Sequence, residues 1–517
     1  MTFERTQLLT LSDIAEIAGV GLSAVSNWTS RWADFPIPMD GLYQPDEVEQ
    51  WLRQHNKTIR RPARPDVATL LWKSADALRS LVPIEAAPEL ILQLLALRAA
   101  SAGAIQRLAT VADSWRRIRN DPTVLLGTEF ERVVNELRGT DSDIAELFEP
   151  SASARSVRLV EMSALYPVLD ELPADAEWGK LASDVLTEYV ERYGIRGAEQ
   201  VTPSAVADLM ITLLQPMHGL VYDPACGVGV SLARAWRGRG PRLEMELFGQ
   251  DISAQAERLA RLHLLINDAP FRSTLGNSLR DDRLWDLRAD RVIADPPLNQ
   301  RVSYPESFRH DPRWLWGVPT STADWLWIQH VAFHLADGGI GVVAVAGGTL
   351  HRAGADAQIR RQLVQSDLLD IVVQLPAAML PSTSVPLSLV VLEKGRRDRT
   401  GRTLFVDLSK AGSRQRGGLH RFRPDELADV AGLVHQWRNG GDPAKPGVAG
   451  VSTTTELLTG DVALTPARYV AYPASLNVES AADRFARLKT SLRHQAGDMA
   501  SATTALEAEL ASLEVAE

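Results

Sequence analysis

The chain has 517 residues, enough for three or four domains at about 150 residues each. Its single cysteine excludes a disulfide framework and a cysteine-clustered zinc site, so we expect a reducing, cytoplasmic location. Lys and Arg total 55 against 65 for Asp and Glu, and this net charge of −10 argues against a generic polyanion binder but not against a local basic groove. We expect no signal peptide and no membrane span, because no apolar run approaches the roughly 18 residues that cross a bilayer.

Residues 1–55 predict a small unit of short helices. Ser12 is expected to cap a helix over 13–18, and Gly19 then separates it from a second helix that begins at Ser23. Small polar side chains and one arginine, which suit a DNA major groove, are expected on the outward face of the second helix: Ser23, Ser26, Asn27 and Arg31. The stretch 13–52, with its FPIP segment, resembles excisionase-like winged helix-turn-helix domains. The alternative is a helical pair that serves protein contacts.

Three further segments flank or precede the most informative part of the chain. Residues 56–66 predict a basic linker, either solvated or in contact with phosphates. Residues 67–193 predict a helical domain, since apolar residues such as Leu90, Leu94 and Leu97 recur at helical spacing. Residues 471–517 predict a C-terminal helix with a packing seam, suited to a partner or to an intramolecular coiled coil.

Residues 201–408 alternate short apolar strands with helices, which predicts a doubly wound α/β sheet within a domain that we place at 194–470. The candidate strands are 219–222, 246–249, 291–294, 341–345, 369–373 and 388–392. Ligands bind at the carboxyl ends of the strands in such sheets. The residues that follow each strand are therefore the first candidates for a functional site.

Two of these strand ends indicate a nucleoside-containing ligand. The first is followed by Asp223-Pro224-Ala225-Cys226-Gly227-Val228-Gly229, whose glycines allow close approach of a ligand to the backbone at a helix N-terminus. The second ends at Asp251, 22 residues after Gly229, near the spacing of a ribose-binding acid. NAD and S-adenosylmethionine both supply ribose hydroxyls, so both remain open at this point.

The third strand end, Ala294-Asp295-Pro296-Pro297-Leu298, favours a particular chemistry. Pro297 locks its own φ and restricts Pro296, which places a carboxylate beside a fixed carbonyl. Two rigid acceptors suit the two hydrogens of an exocyclic amino group, such as adenine N6 or cytosine N4, and turn its lone pair toward a methyl donor. The alternative is a strand terminator followed by a turn.

The motifs DPACGVG, FGQDI and ADPPL, in this order and spacing, resemble the amino-group DNA methyltransferases. They are most similar to the adenine-N6 methylation subunits of type I restriction–modification systems. The similarity extends from an upstream Val201-Thr202-Pro203 segment to a closing Leu464-Thr465-Pro466-Ala467-Arg468-Tyr469 motif. It implies a Rossmann-like, S-adenosylmethionine-dependent methyltransferase sheet.

The resemblance implies a role for each matching residue. Thr202 and Pro203, with the loop 223–229, would hold the methionine part of S-adenosylmethionine. Asp251 would bind the ribose hydroxyls, and Asn277 would lie near the adenine ring. The segment 295–298 would be catalytic, with Asp295 and Pro296 holding the amino group of a flipped base. Catalysis would come from orientation, without a metal or a covalent intermediate.

Two positions depart from the family pattern. Leu298 stands where an aromatic residue stacks on the flipped base, a contact worth about 1–3 kcal/mol. Asn277 stands where Asp is usual. Four tryptophans could supply another stacking surface or could be core residues: Trp314, Trp316, Trp325 and Trp327.

The resemblance implies DNA as substrate and a restriction or defence system as context. Base recognition would come from a separate specificity subunit docked on the C-terminal segment, or from the helix-turn-helix. The net charge of −10 favours a more basic partner. One alternative is a DNA-binding protein that keeps a methyltransferase-like domain for sensing or assembly. Another is a methyltransferase that acts on RNA or on protein glutamine.

Overall fold

The computed structural model describes most of the chain, in the following ranges: 10–18, 20, 22–32, 34–36, 38, 43–55, 71, 82–121, 123–152, 154–162, 165–193, 202–240, 243–301, 306–320, 322–379, 385–414, 420–471, 485, 489–490, 493 and 499. The predicted basic linker lies outside these residues, as does the predicted C-terminal helix except for residue 471 and five isolated positions. The chain divides into two compact units. Unit 1 comprises Met1–Pro297, Phe333–Gly341 and Leu380–Ser382, and unit 2 comprises Leu298–Ala332, Val342–Met379 and Thr383–Glu517.

The N-terminal part of unit 1 contains the helices α1 (Leu11–Ala18), α2 (Leu22–Arg31) and α3 (Pro45–Gln54). Ile14, Val25 and Trp51 belong to one buried cluster that joins these helices. The predicted helix cap at Ser12 is wrong, because α1 begins at Leu11 and the N–H of Ile14 donates to the carbonyl of Thr10. On α2 the predicted outward residues Ser26, Asn27 and Arg31 are exposed.

Among the described residues of unit 1, the following helices come next: α4 (Ala87–Ser101), α5 (Ser114–Asn120), α6 (Leu126–Arg138), α7 (Ser142–Leu147), α8 (Tyr166–Asp170) and α9 (Trp178–Tyr193). Helix α4 is buried on almost all sides, which explains why its apolar residues show no single face. These helices share one hydrophobic core with α12 (Ala254–Ile266). Among the described residues no single helix has both the length and the apolar character to cross a membrane, and the bent pair 87–101 and 106–120 meets the criterion only when taken together.

Unit 1 also contains the strands β1 (Gly219–Asp223), β2 (Met245–Asp251), β3 (Phe271–Leu275) and β4 (Ala289–Ala294). They are parallel and lie in the order β3-β2-β1-β4. Helix α10 (Ser204–Leu214) precedes β1, α11 (Val230–Arg237) connects β1 to β2, and α12 connects β2 to β3. The register pairs Asp223 with Gly249 and Asp251 with Leu275, so the carboxyl ends of β1, β2 and β3 lie at one edge of the sheet, where ligands bind in such folds.

Unit 2 contains β6 (Leu369–Gln374), β7 (Leu387–Glu393), β8 (Arg402–Asp407) and β11 (Ala449–Thr453), in the order β7-β6-β8-β11. Here β6 is antiparallel to β7 and parallel to β8, and β11 is antiparallel to β8. Its further elements are α14 (Ala355–Gln365), α15 (Pro424–Arg438), α16 (Thr454–Leu457) and the short antiparallel pair β9 (Ser413–Arg414) and β10 (His420–Arg421). Helix α13 (Asp324–His334) and strand β5 (Leu335–Ala346) contribute residues to both units.

The predicted α/β fold is confirmed, and all six predicted strands are present, each longer by one to seven residues. The sheet is mixed, since β7 is antiparallel to β6 and β11 is antiparallel to β8. The sequence pattern did not predict β3, β8 or β11, nor the short pair β9 and β10. Strand β3 has the sequence Phe-Arg-Ser-Thr-Leu and lacks the continuous apolar run by which the other strands were found.

Candidate functional site

The loop 223–229 connects β1 to α11 in unit 1 and depends on two glycines. Gly227 has φ 51° and Gly229 has φ 79°, a left-handed conformation that favours glycine. A Cβ on Gly229 would lie 3.3 Å from the Cβ of Ala260, whereas a Cβ on Gly227 would meet nothing within 4 Å. Gly229 therefore allows close packing on α12, and Gly227 leaves its backbone open to a ligand.

Asp251, at the end of β2, is joined directly to this loop. Its Oδ2 accepts a hydrogen bond from the N–H of Gly227 at 2.8 Å, and its Oδ1 accepts one from the N–H of Ser253 at 2.8 Å. Asp251 is half-buried, so its carboxylate keeps an open side. The loop after β1 and the end of β2, both predicted from the sequence as ligand-binding positions, are therefore joined by a direct hydrogen bond.

Cys226 is a buried, tightly packed residue of the loop. Its N–H donates to the carbonyl of Gln250 at 3.1 Å, and its Sγ lies 2.9 Å from the place that a Cβ on Gly249 would occupy. Burial raises the pKa of the Cys226 thiol well above its usual value, and the carboxylates of Asp223 and Asp251 act in the same direction. This environment fits a small packing side chain and not a thiolate nucleophile.

His263 supports the loop from α12, a role that the sequence reasoning missed. Its Nδ1–H donates to the carbonyl of Val228 at 2.9 Å, and its Nε2 shares a 2.7 Å hydrogen bond with Ser183 Oγ. Burial lowers the pKa of His263 to about 3, so the ring is neutral at physiological pH. A single histidine within the apolar pattern of a helix gives no signal that separates this role from ordinary packing.

Asp295 follows β4 as a buried carboxylate with an unusual environment. Neither of its oxygens has a hydrogen-bonding partner of good geometry in the part of the chain that the structure describes. Burial raises the pKa of Asp295 to about 6, and the nearby Thr202 hydroxyl acts in the opposite direction. A buried polar group without a partner is costly, so this carboxyl group is a strong candidate to bind a donor from a ligand.

Asp223 and Asp295 are close enough to influence each other electrostatically. Burial raises the pKa of Asp223 well above its usual value, and the carboxylates of Asp251 and Asp295 add to this effect. The Oδ1 of Asp223 accepts from the N–H of Ala225 at 3.0 Å, which shapes the start of the glycine loop. The three carboxyl groups at the ends of β1, β2 and β4 therefore belong to one site.

The remaining residues expected at this site have distinct surroundings. Pro203 is buried directly before α10, and its carbonyl accepts from the N–H groups of Val206 and Ala207 at 2.9 and 3.0 Å. The Oδ1 of Asn277 accepts from the N–H groups of Leu279 and Arg280, both at 3.1 Å. The Asn277 oxygen thus stabilises its own turn, and its amide nitrogen takes no part in those bonds.

The residues after Asp295 are partly accessible. Pro296 is buried, whereas Pro297 and Leu298 are half-buried. Of the tryptophans that could replace the missing aromatic residue, three are buried and one, Trp316, is half-buried. The buried three are core residues: Trp314, Trp325 and Trp327.

Two exposed apolar side chains at the ends of β2 and β3 were not found from the sequence. Ile252 is 69% exposed and directly follows Asp251, and Leu275 is 52% exposed and pairs with Asp251 in the sheet register. Exposed aliphatic side chains beside a candidate ribose-binding acid offer apolar surface on which an adenine ring can pack. Their positions could have indicated them, because Ile252 directly follows Asp251 and Leu275 lies two residues before Asn277.

These residues fit S-adenosylmethionine. The open backbone at Gly227 allows a chain of the ligand to approach, and Asp251 provides acceptors for ribose hydroxyls. Ile252 and Leu275 provide apolar surface. A parallel sheet with a glycine loop after β1 and an acid after β2 defines an α/β protein that binds a nucleoside cofactor.

Comparison with known proteins gives the family. A family model described as N-6 DNA Methylase matches residues 178–477, more than half of the chain, and the chain belongs to this family. It is 28% identical over 294 residues to the HindI methylase subunit of a type I restriction enzyme from Haemophilus influenzae, covering 55% of this chain and 66% of the relative. It is 28% identical over 308 residues to the MjaIX methylase subunit from Methanocaldococcus jannaschii, covering 57% and 55%.

The chain spans between half and two thirds of the length of these two curated relatives. A crystal structure of a type I restriction–modification methyltransferase subunit from Streptococcus thermophilus has a TM-score of 0.62 at 21% identity. The similarity covers 78% of this chain and 99% of that one. At this identity the likeness supports the fold alone.

Proposed function

We propose that this protein transfers a methyl group from S-adenosylmethionine to adenine N6 in DNA, as the modification subunit of a restriction–modification or related defence system. The observation that carries the proposal is Asp295, a buried carboxyl group without a good partner among the described residues, followed directly by two prolines. It lies in the same unit as the glycine loop and Asp251. The family match supports adenine N6 over cytosine N4.

Asp295 and Pro296 would act on the target base together. Above a pH of about 6 the Asp295 side chain is ionised and only accepts hydrogen bonds. Its carboxylate and the Pro296 carbonyl would accept the two hydrogens of the amino group, which orients the nitrogen lone pair. The cofactor supplies an electrophilic methyl group on a sulfonium. The target adenine must leave the duplex to reach these acceptors.

The cofactor residues would act by binding and positioning. Thr202, Pro203 and the loop 223–229 would hold the methionine part, with Gly227 allowing the closest approach. Asp251 would bind the ribose hydroxyls, and Ile252 and Leu275 would flank the adenine ring, near Asn277. No group in this proposal needs to form a covalent bond to the substrate.

A regulatory protein without methyltransferase activity is not favoured. Such a protein would have no need to keep a costly buried carboxyl group at position 295. The experiment that separates the two is transfer of a labelled methyl group to unmethylated DNA, with the products of the neighbouring genes present. Incorporation into DNA supports the proposed function, and tight cofactor binding without any incorporation favours the regulatory protein.

We also infer that residues 1–55 bind DNA through α2. Ser26, Asn27 and Arg31 are exposed on this helix, and Ser23 lies in its first turn. Removing Arg31 with an Arg31→Ala substitution should weaken DNA binding and reduce its dependence on salt concentration. An Arg53→Ala variant on α3 is the matched control. Equal DNA affinity of the Arg31→Ala variant and the unmodified chain would reject this assignment.

The remaining parts of the proposal concern organisation and partners. The division would be a helix-turn-helix domain (1–55), a basic linker (56–66), a helical domain (67–193), a methyltransferase domain (194–470) and a C-terminal partner-binding segment (471–517). A specificity subunit, or another subunit of the system, would dock on that last segment and complete the DNA groove. DNA as substrate, together with the single cysteine, supports a cytoplasmic location.

A further inference from the structure

The residues directly after Leu298 are held by a hydrogen-bond network within unit 2. Asn299 has φ 51°, a left-handed conformation that side-chain-bearing residues rarely adopt. Its N–H donates to Asp324 Oδ1 at 3.2 Å, and its side-chain oxygen accepts from Arg352 Nη2 at 2.5 Å. The next residue, Gln300, accepts from the N–H of Ala323 at 2.9 Å. The conformation of this turn therefore depends on groups distant in sequence.

Asp324 is the buried centre of the network. It is the first residue of α13, and its Oδ2 accepts from Thr322 Oγ1 at 2.9 Å and from Thr349 Oγ1 at 2.8 Å. With the Asn299 N–H, three donors converge on one buried carboxylate. A buried charge is tolerated when it is paired and fully hydrogen-bonded. The Asp324 carboxylate is hydrogen-bonded in this way, and it holds the first turn after the segment 295–298.

Arg352 joins the carboxylate to the turn. Its Nη1 donates to Thr322 Oγ1 at 3.0 Å and lies 3.7 Å from Asp324 Oδ2, while its Nη2 bonds Asn299. Its backbone is itself fixed, since the Nη1 of buried Arg360 donates to the Arg352 carbonyl at 2.8 Å. The guanidinium can make these contacts together because its donors form a rigid planar fork.

We propose that Asp324 and Arg352 are positioning residues for the base-binding segment. They fix Asn299 in its left-handed conformation and thereby set the path of the chain at Leu298, the residue that follows the two prolines. A target adenine that leaves the duplex would then meet a preformed surface, and a reacting group that is already oriented lowers the barrier to reaction. This inference rests on the proposed function of residues 295–298.

The test compares three single variants of the full chain, assayed with the products of the neighbouring genes. Arg352→Met removes the fork, Arg352→Lys keeps only a cation, and Arg361→Met is the matched control. The guanidinium of Arg361 donates instead to the backbone carbonyls of Leu458 and Gly460, both at 3.2 Å, and among the described residues it makes no bond to the turn. Because Arg352 is partly exposed, these variants are expected to fold.

The expected result has three parts. In Arg352→Met, hydrogen exchange of the backbone amides of residues 298–301 should become at least tenfold faster. The kcat/KM for DNA methylation should fall at least tenfold, while the Kd for S-adenosylmethionine stays within twofold, because the proposed cofactor residues lie in unit 1. Arg352→Lys should give intermediate values, and Arg361→Met should match the unmodified chain.

A rescue variant separates positioning from general stability. Glycine adopts φ 51° without support from other residues. The double variant Arg352→Met with Asn299→Gly should therefore have a kcat/KM at least threefold higher than that of Arg352→Met. Unchanged amide exchange at 298–301, a parallel loss of cofactor affinity, or no rescue would overturn the inference. If the unmodified chain methylates no DNA, the proposed function fails, and the amide exchange alone then shows whether Arg352 fixes the turn.

Discussion

The backbone N–H of Gly227 donates a hydrogen bond to Asp251 Oδ2 at 2.8 Å, which joins the loop after β1 to the end of β2. The other oxygen of Asp251 accepts from the N–H of Ser253, at the start of α12. One carboxylate thus connects the glycine loop, the second strand and the following helix. The proposed ribose-binding residue is rigid before any ligand arrives, which lowers the entropic cost of binding.

Replacing Asp251 should therefore weaken cofactor binding. Asp251→Ala removes both the bond to Gly227 and the proposed acceptors for ribose hydroxyls, and a hydrogen bond to a charged group is worth about 1.5–3 kcal/mol. We expect the Kd for S-adenosylmethionine to rise by roughly ten- to a hundredfold in a calorimetric titration. Glu246→Ala, an exposed residue of the same strand, should leave it unchanged. Equal affinities for the two variants would contradict the role of Asp251.

Gly227 and Gly103 form a matched pair for testing the loop. Both have a left-handed backbone, with φ 51° and 75°, and a Cβ on either would meet nothing within 4 Å. An alanine at each position should cost about 1 kcal/mol of stability through backbone strain alone. Only Gly227→Ala should also weaken S-adenosylmethionine binding, because its Cβ would occupy the space of the ligand. Similar affinities of the two variants would show that no ligand approaches Gly227.

The raised pKa of Asp295 predicts how stability depends on pH. The native pKa of about 6 lies above the ordinary value of 3.8, so the native state binds the Asp295 proton more strongly than the unfolded state does. Below pH 3.8 the carboxyl group is protonated in both states, so Asp295 does not change the free energy of unfolding. This free energy then declines as the pH rises from about 4 to about 6. The loss should be on the order of 3 kcal/mol above pH 6.

Asp295→Asn should remove this decline. The variant should be more stable than the unmodified chain at pH 7.5 and should equal it near pH 4, as measured by thermal unfolding without cofactor. The activity of the unmodified chain should also depend on pH. Methyl transfer should fall as the pH drops through 6, because a protonated carboxyl group no longer accepts hydrogen bonds with both oxygens. Parallel stability curves for the two proteins would contradict the assignment.

Leu298→Phe should strengthen capture of the target base. An aromatic ring can stack on a flipped base, a contact worth about 1–3 kcal/mol, so we expect the KM for DNA to fall by roughly tenfold. Leu315→Phe is the control, since Leu315 is 78% exposed and belongs to the same unit. A KM that is unchanged in both variants would mean that residue 298 does not contact the base.

Much of the fold and the positions of the functional strand ends could be predicted from the sequence. Short apolar runs locate β1, β4 and β6, because strands buried on both faces do not alternate with polar residues, whereas β2 contains the exposed Glu246. Strand β3 was missed because its residues are largely polar. The order of the strands does not follow from local pattern, since it depends on contacts between distant segments.

The site was predictable only in part, for the same reason. Asp251 and Asp295 follow apolar strands and could be identified by position. The support from His263, and the network of Asp324 and Arg352 around Asn299, joins residues far apart in the chain and has no local signature. The Asn277 oxygen was also unpredictable, since its engagement in its own turn depends on backbone conformation.

The most direct test of the account is the chemical identity of the methylated product. The full chain, with the products of the neighbouring genes, would be incubated with unmethylated DNA and labelled S-adenosylmethionine, and the DNA digested to nucleosides. Asp295→Ala serves as the control against contaminating activity. We expect label in N6-methyladenine with the unmodified chain and none with Asp295→Ala. No label in DNA, or label in N4-methylcytosine, would contradict the proposed function.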